Sequence, residues 1–177
     1  KIEKGSLKDY KKLAQFHYLS KEPAFPFKVF RMRLGNELIG VIVYTTTYKS
    51  LAGRNIVFGD YYKNNIKRVN RDIARIARVI IHPKFRGVGL GVKLVKETMP
   101  LVGKKIIEAV AVMAKYNPFF EKAGMKRIDV VRKLTKEQKE ALEFLKSKGF
   151  DIELIRSKKY CEEFLNSLPS EERKKLE

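Results

Sequence analysis

Apolar residues along the chain follow two periods, 3.6 and 2, and the switches between them outline the elements. Leu7, Tyr10, Leu13, Ala14 and then His17 or Tyr18 recur at helical spacing behind Ser6, an N-cap type of residue, and predict a first helix. Residues 19–26 hold Pro23 and Pro26 and read as a loop. Phe27 to Leu34 alternates, Gly35-Asn36 marks a turn, and Leu38 to Thr47 is apolar and β-branched, which together predict a hairpin. Residues 48–65, with Gly53, Gly59 and Tyr61-Tyr62, read as irregular, and 66–73 as a short helix. Ile76 to His82 predicts a strand with Ala77, Val79 and Ile81 on one face and Ile76, Arg78 and Ile80 on the other, ended by Pro83. A glycine-rich turn then opens a helix carrying Val92, Leu94, Val95 and Met99, closed by Pro100 and Gly103. Ile106 to Met113 reads as a second buried strand. A short helix from Pro118 to Gly124 follows, then a strand over Lys126 to Val131. Helices over Thr135–Lys148 and Ser157–Leu168, with a candidate strand at Asp151–Ile155, complete the chain. The order predicts an α/β domain with a mixed sheet over 1–132 and a helical extension over 133–177.

Composition narrows the class. Hydrophobic residues make up 44%, enough for a core, which excludes a disordered basic tail. No run approaches the roughly 18–20 apolar residues of a membrane span, and KIEKGSLKDY has no apolar signal region. One cysteine, Cys161, excludes a disulfide framework and a cysteine-based zinc site, and two histidines are too few for a metal site of their own. No metal is therefore expected, and a reducing, cytoplasmic compartment is. Lys and Glu are abundant while glutamine is limited to Gln15 and Gln138, a balance that fits a heat-adapted source.

Charge changes the picture most. The formal net charge is +19, and residues 63–105 hold 12 basic residues against two acids, Asp72 and Glu97. Such a field seeks polyanions: nucleic acid, a phosphorylated cofactor, or an acidic membrane face. A merely solvated lysine-rich surface is the alternative.

Candidate chemistry starts at Arg86-Gly87-Val88-Gly89-Leu90-Gly91. Strand, tight glycine turn and helix together make a phosphate site. Glycine allows positive φ and close backbone approach, and the N–H groups at a helix start point outward with the dipole behind them. A P-loop is excluded because no Lys-Ser/Thr pair follows, and a dinucleotide fingerprint would need glycine where Val92 stands. The hexapeptide instead resembles the pyrophosphate loop of the GNAT acyltransferases, [Q/R]-x-x-G-x-[G/A]. V-I-I-H-P-K-F-R-G before it, and F-F-E-K-A-G-M after a helix and an apolar strand, resemble the same family in order. The likeness spans roughly Leu7 to Arg132. Within it, F-H-Y near residue 17, R-V-I-I-H-P-K-F-R-G-V-G-L-G and M-A-K-Y-N-P-F-F-E-K-A-G-M are similar to archaeal acetyltransferase-like domains, some fused to an ABC-type ATPase.

The resemblance implies a GNAT-like acyl-CoA N-acyltransferase fold, α/β, with a mixed central sheet splayed between its fourth and fifth strands and flanked by helices. It implies acetyl-CoA, or another acyl-CoA, as cofactor. Backbone amides of Gly87, Val88, Gly89, Leu90, Gly91 and Val92 would hold the pyrophosphate, with Arg86 opening the loop. Val79, Ile80 and Ile81 would pair with the pantetheine arm. Lys84, Arg86 and Lys93 would lie towards the 3′-phosphate. Where the family often carries a tyrosine that donates a proton to the leaving thiolate, this chain has Phe120. Tyr116 is the nearest phenol and becomes the donor candidate, or a packing tyrosine. Asn117 either caps the following helix or binds near the thiol. Glu108, the acid inside an apolar strand, must be paired or functional: a general base, or an ion pair with Arg78 in the facing strand. His82 suits a hydrogen bond at the strand end.

One CoA leaves most of the +19 unexplained. Lys63, Lys67, Arg68, Arg71 and Arg75, beside Tyr61 and Tyr62, suit backbone phosphates and stacked bases. The expected acceptor is therefore nucleic acid (tRNA, rRNA or DNA) or something bound to it, such as a ribonucleoprotein. The partners expected are acetyl-CoA, nucleic acid and a fused or associated ATPase, without a membrane. Two alternatives remain: a protein or small-amine N-acetyltransferase, and a non-catalytic GNAT-like module that binds nucleic acid.

Overall fold

A computed structural model describes residues 1–17, 22–111, 116–130, 135–155 and 157–173. It divides into two compact units, Lys1–Val130 and Val131–Glu177.

The first unit is built on a five-stranded sheet in the order β1 (Ile2–Lys4), β2 (Pro26–Leu34), β3 (Glu37–Thr45), β4 (Ile73–Ile81) and β5 (Ile106–Ala109). The first three junctions are antiparallel and β4–β5 is parallel. Helix α1 (Leu7–Ala14) starts in a capping box, in which the Ser6 amide donates to Asp9 Oδ2 at 2.8 Å. It ends at Ala14, short of the expected His17, while Tyr18 lies outside the described residues. Tyr10 and Leu13 of α1 bury against Val29, Val41, Val43 and Ile80. Helices α2 (Ala52–Phe58) and α3 (Ile66–Asp72) follow β3, so α2 corrects the expectation of an irregular 48–65. Its N-cap, Leu51, offers no capping side chain and Gly53 sits inside it, so the sequence carries no start signal. Helix α4 (Leu90–Thr98) runs into a 3₁₀ turn (Met99–Val102), and α5 (Phe119–Lys122) follows β5. Leu94 and Val95 of α4 fill the opposite side of the sheet against Ile42, Tyr44, Ala74, Ile76 and Ile81.

A β-bulge at Ala77 decides how β4 works. Val43 pairs with Arg78 but Tyr44 pairs with Ile76, so Ala77 is the extra residue. The bulge shifts the alternation by one. Ile76 therefore joins Val79 and Ile81 on the α4 side, which corrects the expectation that it would share a face with Ile80. Pairing with β5 covers only Ile73–Ile76 against Ile106–Ala109. Among the described residues, β4 beyond the bulge has a partner on one edge alone, and there the sheet splays.

Val112, Met113 and Val131, the ends of two expected strands, lie outside the described residues. Residues 125–130 form no strand, against the expectation. A Cβ on Gly53 would come within 3.7 Å of Ile128 and of Val130, so both side chains lie against α2 at Gly53, Ile128 half-buried and Val130 exposed.

Tyr44 reaches across the core to Thr98 (2.7 Å), whose hydroxyl donates to the Leu94 carbonyl at 2.6 Å, so the phenol is the donor. Burial pushes the Tyr44 phenol up to about 12. The fold favours the neutral phenol. Stability is therefore fully present below the ordinary value of 10.0 and falls as pH rises from there towards about 12. Phenolate absorbance should show a late step that Tyr44→Phe removes. Survival of that step in the variant would contradict the assignment.

The second unit holds α6 (Lys136–Ser147), α7 (Lys158–Ser167) and α8 (Ser170–Arg173). Thr135 and Ser157 cap the first two of these, accepting from Gln138 and Tyr160 amides. Phe150 packs its ring against Tyr160 and Phe164. Ile152–Leu154 forms a 3₁₀ turn, which corrects the candidate strand there.

Candidate active site

The turn between β4 and α4 takes its shape from two glycines. Gly87 and Gly89 hold φ of +87° and +80°, a region L side chains rarely enter. A Cβ on either would meet nothing within 4 Å, so backbone conformation, not room, demands glycine. Among the described residues, nothing accepts a hydrogen bond from the backbone N–H of Gly87, Val88, Gly89, Leu90, Gly91 or Val92. Gly89 is the N-cap of α4 and has no side chain to satisfy them. Six consecutive exposed or half-exposed amides at a helix start form a nest for an anion with at least two oxygens to share. The diphosphate of a CoA thioester fits that donor set. Val79, Ile80 and Ile81 lie just before the turn, on the stretch of β4 that β5 leaves unpaired.

Arg86 does not face the nest. Its Nε donates to the Ile81 carbonyl at 2.9 Å and its Nη2 to the Phe16 carbonyl at 3.0 Å, bracing the turn against the end of β4. His82 accepts from the Lys84 amide (3.3 Å), the strand-end bond its position suggests. Lys93 pairs with Glu97 one helical turn on, at 3.7 Å.

Glu108 is half-buried on β5, and its partner is Arg54 of α2, not Arg78. Arg54 Nη2 donates to Glu108 Oε1 at 2.7 Å and Arg54 Nε to Oε2 at 3.2 Å, while Thr47 Oγ1 also donates to Oε1. The Arg54 side chain is 2% exposed, and it further donates to the Lys49 and Tyr48 carbonyls. This bidentate pair ties α2 and the loop after β3 to the edge strand. Arg78 instead donates to the neighbouring Ala77 carbonyl at the bulge (2.8 Å). Arg54 escaped the sequence reading because its stretch showed no periodicity. Only a charge amid Leu51, Ile56 and Val57 hinted at burial.

A cavity of about 730 Å³ runs along β5 and on past its end to Ala111. Its walls are largely apolar, with Phe58, Met99, Phe120 and Met125 among them, and Arg54 and Glu108 on one side. It passes Ala109, the last residue paired with β4, and its lining comes mostly from α2, β5, α5 and residues 124–130, with none from β4. Tyr116 and Asn117 do not line it. Tyr116 is 75% exposed, and the N-cap of α5 is Pro118, without a side-chain cap bond, so Asn117 does not cap that helix.

The basic residues separate into two groups. Arg75 is half-buried on β4, bonding Thr45 Oγ1 at 3.3 Å and lying over the Tyr48 ring at 4.1 Å. Lys63, Lys67, Arg68 and Arg71 cluster on and before α3. Arg71 grips the buried Asp72 at 2.9 and 3.0 Å, and this bond, more than any other contact, holds that carboxyl below its ordinary range. Lys104 and Lys105 join this group through space. Lys104 Nζ bonds the Asn70 and Arg71 carbonyls, and Lys105 Nζ lies 3.8 Å from Asp72.

Comparison with known proteins decides the family. The family model described as "Acetyltransferase (GNAT) family" matches residues 3–125, most of the chain. The chain belongs to the GNAT acetyltransferase family. The GNAT fold is thus the one observed here, the activity is that of an acyltransferase, and the cosubstrate is acetyl-CoA. Among solved structures it is similar to the aminoglycoside 6′-N-acetyltransferase AAC(6′)-Ig of Acinetobacter haemolyticus, at 11% identity and a TM-score of 0.51. That match covers 77% of this chain and 97% of the other. It is also similar to the ribosomal-protein-alanine N-acetyltransferase of Brucella melitensis biovar Abortus 2308, at 12% identity, 77% and 97% coverage, and a TM-score of 0.47. No curated protein matches the chain in sequence. Among the described residues no helix is long and apolar enough to cross a membrane, and no group of three or more His, Cys, Asp or Glu could hold a metal ion.

Proposed function

We propose that this GNAT enzyme acetylates an amine on a nucleic acid, or on a protein bound to one. The observation that carries the reading is the placing of the cations. Lys63, Lys67, Arg68 and Arg71 lead directly into β4, and Lys104 and Lys105 into β5, the two strands between which the thioester would lie. Acetyl-CoA supplies the acetyl thioester, whose acyl carbon an amine attacks. The nest at Gly87–Val92 would take its diphosphate and the open edge at Val79–Ile81 its pantetheine arm, with Arg86 bracing the turn. The cavity along β5 would admit the amine. Both Glu108 oxygens are engaged by Arg54 and Thr47, which favours its role as a structural pair over that of a base. Tyr116 is the phenol proposed to return a proton to the leaving sulfur. Likeness to archaeal domains joined to an ABC-type ATPase supports such an ATPase as a further partner.

The test is transfer of labelled acetyl from acetyl-CoA to tRNA, DNA, ribosomal particles, peptides and polyamines in parallel. Label in nucleic acid or its bound protein is expected, with affinity falling steeply between about 50 and 300 mM salt. Label confined to free peptides or polyamines, or salt-independent affinity, would contradict it. No acetyl-CoA binding alongside strong nucleic-acid binding would mean the fold has been reused as a binding module.

A further inference from the structure

The α3 cations and the loop before β5 form one continuous band, with an exposed aromatic ring at each end. At one end Arg68 lies 4.5 Å from the centroid of Tyr61, a ring 54% exposed. The band continues through Lys67 and Arg71 to Asp72 and Lys105, then to Lys104. At the other end Lys104 Nζ lies 5.7 Å over the Phe27 ring, which is 42% exposed. Against Lys63, Lys67, Arg68, Arg71, Lys104 and Lys105 stand Asp60 and Asp72, and Asp72 is buried beneath. Phosphates are attracted along the band, and flat apolar rings are offered beside it. A duplex keeps its base faces stacked inside and uses only the phosphates. A single strand uses both.

The cavity adds a second reason. It begins at Ile106, next to Lys105, and follows β5 to Ala109, the last residue of that strand paired with β4. Four or five strand residues at 3.3 Å each put that point roughly 15 Å from the band. An amine on a base inside a duplex would have to be unpaired and extruded to travel that far, whereas an unstacked nucleotide needs no such step. We infer that the partner on this band is single-stranded nucleic acid, stacked on Tyr61 and Phe27, with an unpaired nucleotide directed along β5. This rests on the acceptor reading above and narrows it.

Fluorescence anisotropy tests it, using a labelled RNA strand of about a dozen nucleotides, its DNA counterpart and the matching duplexes. Either single strand should bind about tenfold or more tightly than its duplex, and the tighter of the two names the source. Tyr61→Ala should weaken single-strand binding about tenfold and leave duplex binding and the salt slope unchanged. Tyr61→Leu, which keeps apolar bulk without a ring for stacking, should behave alike. Retained acetyl-CoA binding shows that both variants fold. Duplex binding equal to or tighter than single-strand binding, or less than about a twofold loss in both variants, would overturn the inference and leave a nucleic-acid acceptor standing. If no nucleic acid binds even at low salt, the acceptor reading falls and this inference with it.

Discussion

Gly89→Val should lower acetyl-CoA affinity by roughly 100-fold or more while leaving the protein folded. Gly89 holds φ +80° as the N-cap of α4, and valine tolerates that region least. The turn must flip to relieve the strain, and the flip redirects the amides around it. Each hydrogen bond to a charged group contributes about 1.5–3 kcal/mol, so two lost bonds account for that factor. The site is exposed and a Cβ there touches nothing within 4 Å, so the cost to stability stays local. Calorimetry with acetyl-CoA reads the affinity and circular dichroism the fold. A folded variant that binds normally would show that the turn does not hold the cosubstrate.

Arg54→Met should destabilise the protein by about 3–5 kcal/mol, the usual cost of stranding one member of a buried pair. The substitution removes the bidentate partner of Glu108 and also the donors to the Tyr48 and Lys49 carbonyls. Glu108→Gln, which keeps the shape and loses the charge, should cost less. Arg54→Met combined with Glu108→Leu should recover part of the loss, because no uncompensated charge then remains. Urea unfolding of these variants together with Glu108→Leu alone closes the cycle. Additive costs would mean that the two side chains do not act as a pair, and that Glu108 is free for proton transfer after all.

Much of this molecule is legible in its residues because local chemistry and global fold agree there. Ser6 with Asp9, Thr135 with Gln138, the Gly35-Asn36 turn and the glycines at 87 and 89 each carry a local signal that survives in the structure. What the sequence hides is non-local. The bulge at Ala77 follows from the mismatch of two strands, and no single residue announces it. Helix α2 lacks a cap and is held by a side-chain pair 54 residues apart, while Arg78, the charge that the sequence puts in the facing strand, lies beyond the pairing that sets Arg75 opposite Glu108. Ile128 and Val130 alternate like a strand, yet they lie against Gly53 of α2 and form no ladder. Lys104 and Lys105 stand in the basic stretch, but their meeting with α3 depends on the parallel register of β4 and β5.

The most direct check on the nest is to follow the backbone amides themselves. In a ¹⁵N-labelled sample titrated with acetyl-CoA, the cross-peaks of Gly87 to Val92 should shift most, and coenzyme analogues lacking the diphosphate should leave them in place. If those peaks stay still while others report binding, the diphosphate lies elsewhere and the glycine turn is no more than a bend between a strand and a helix.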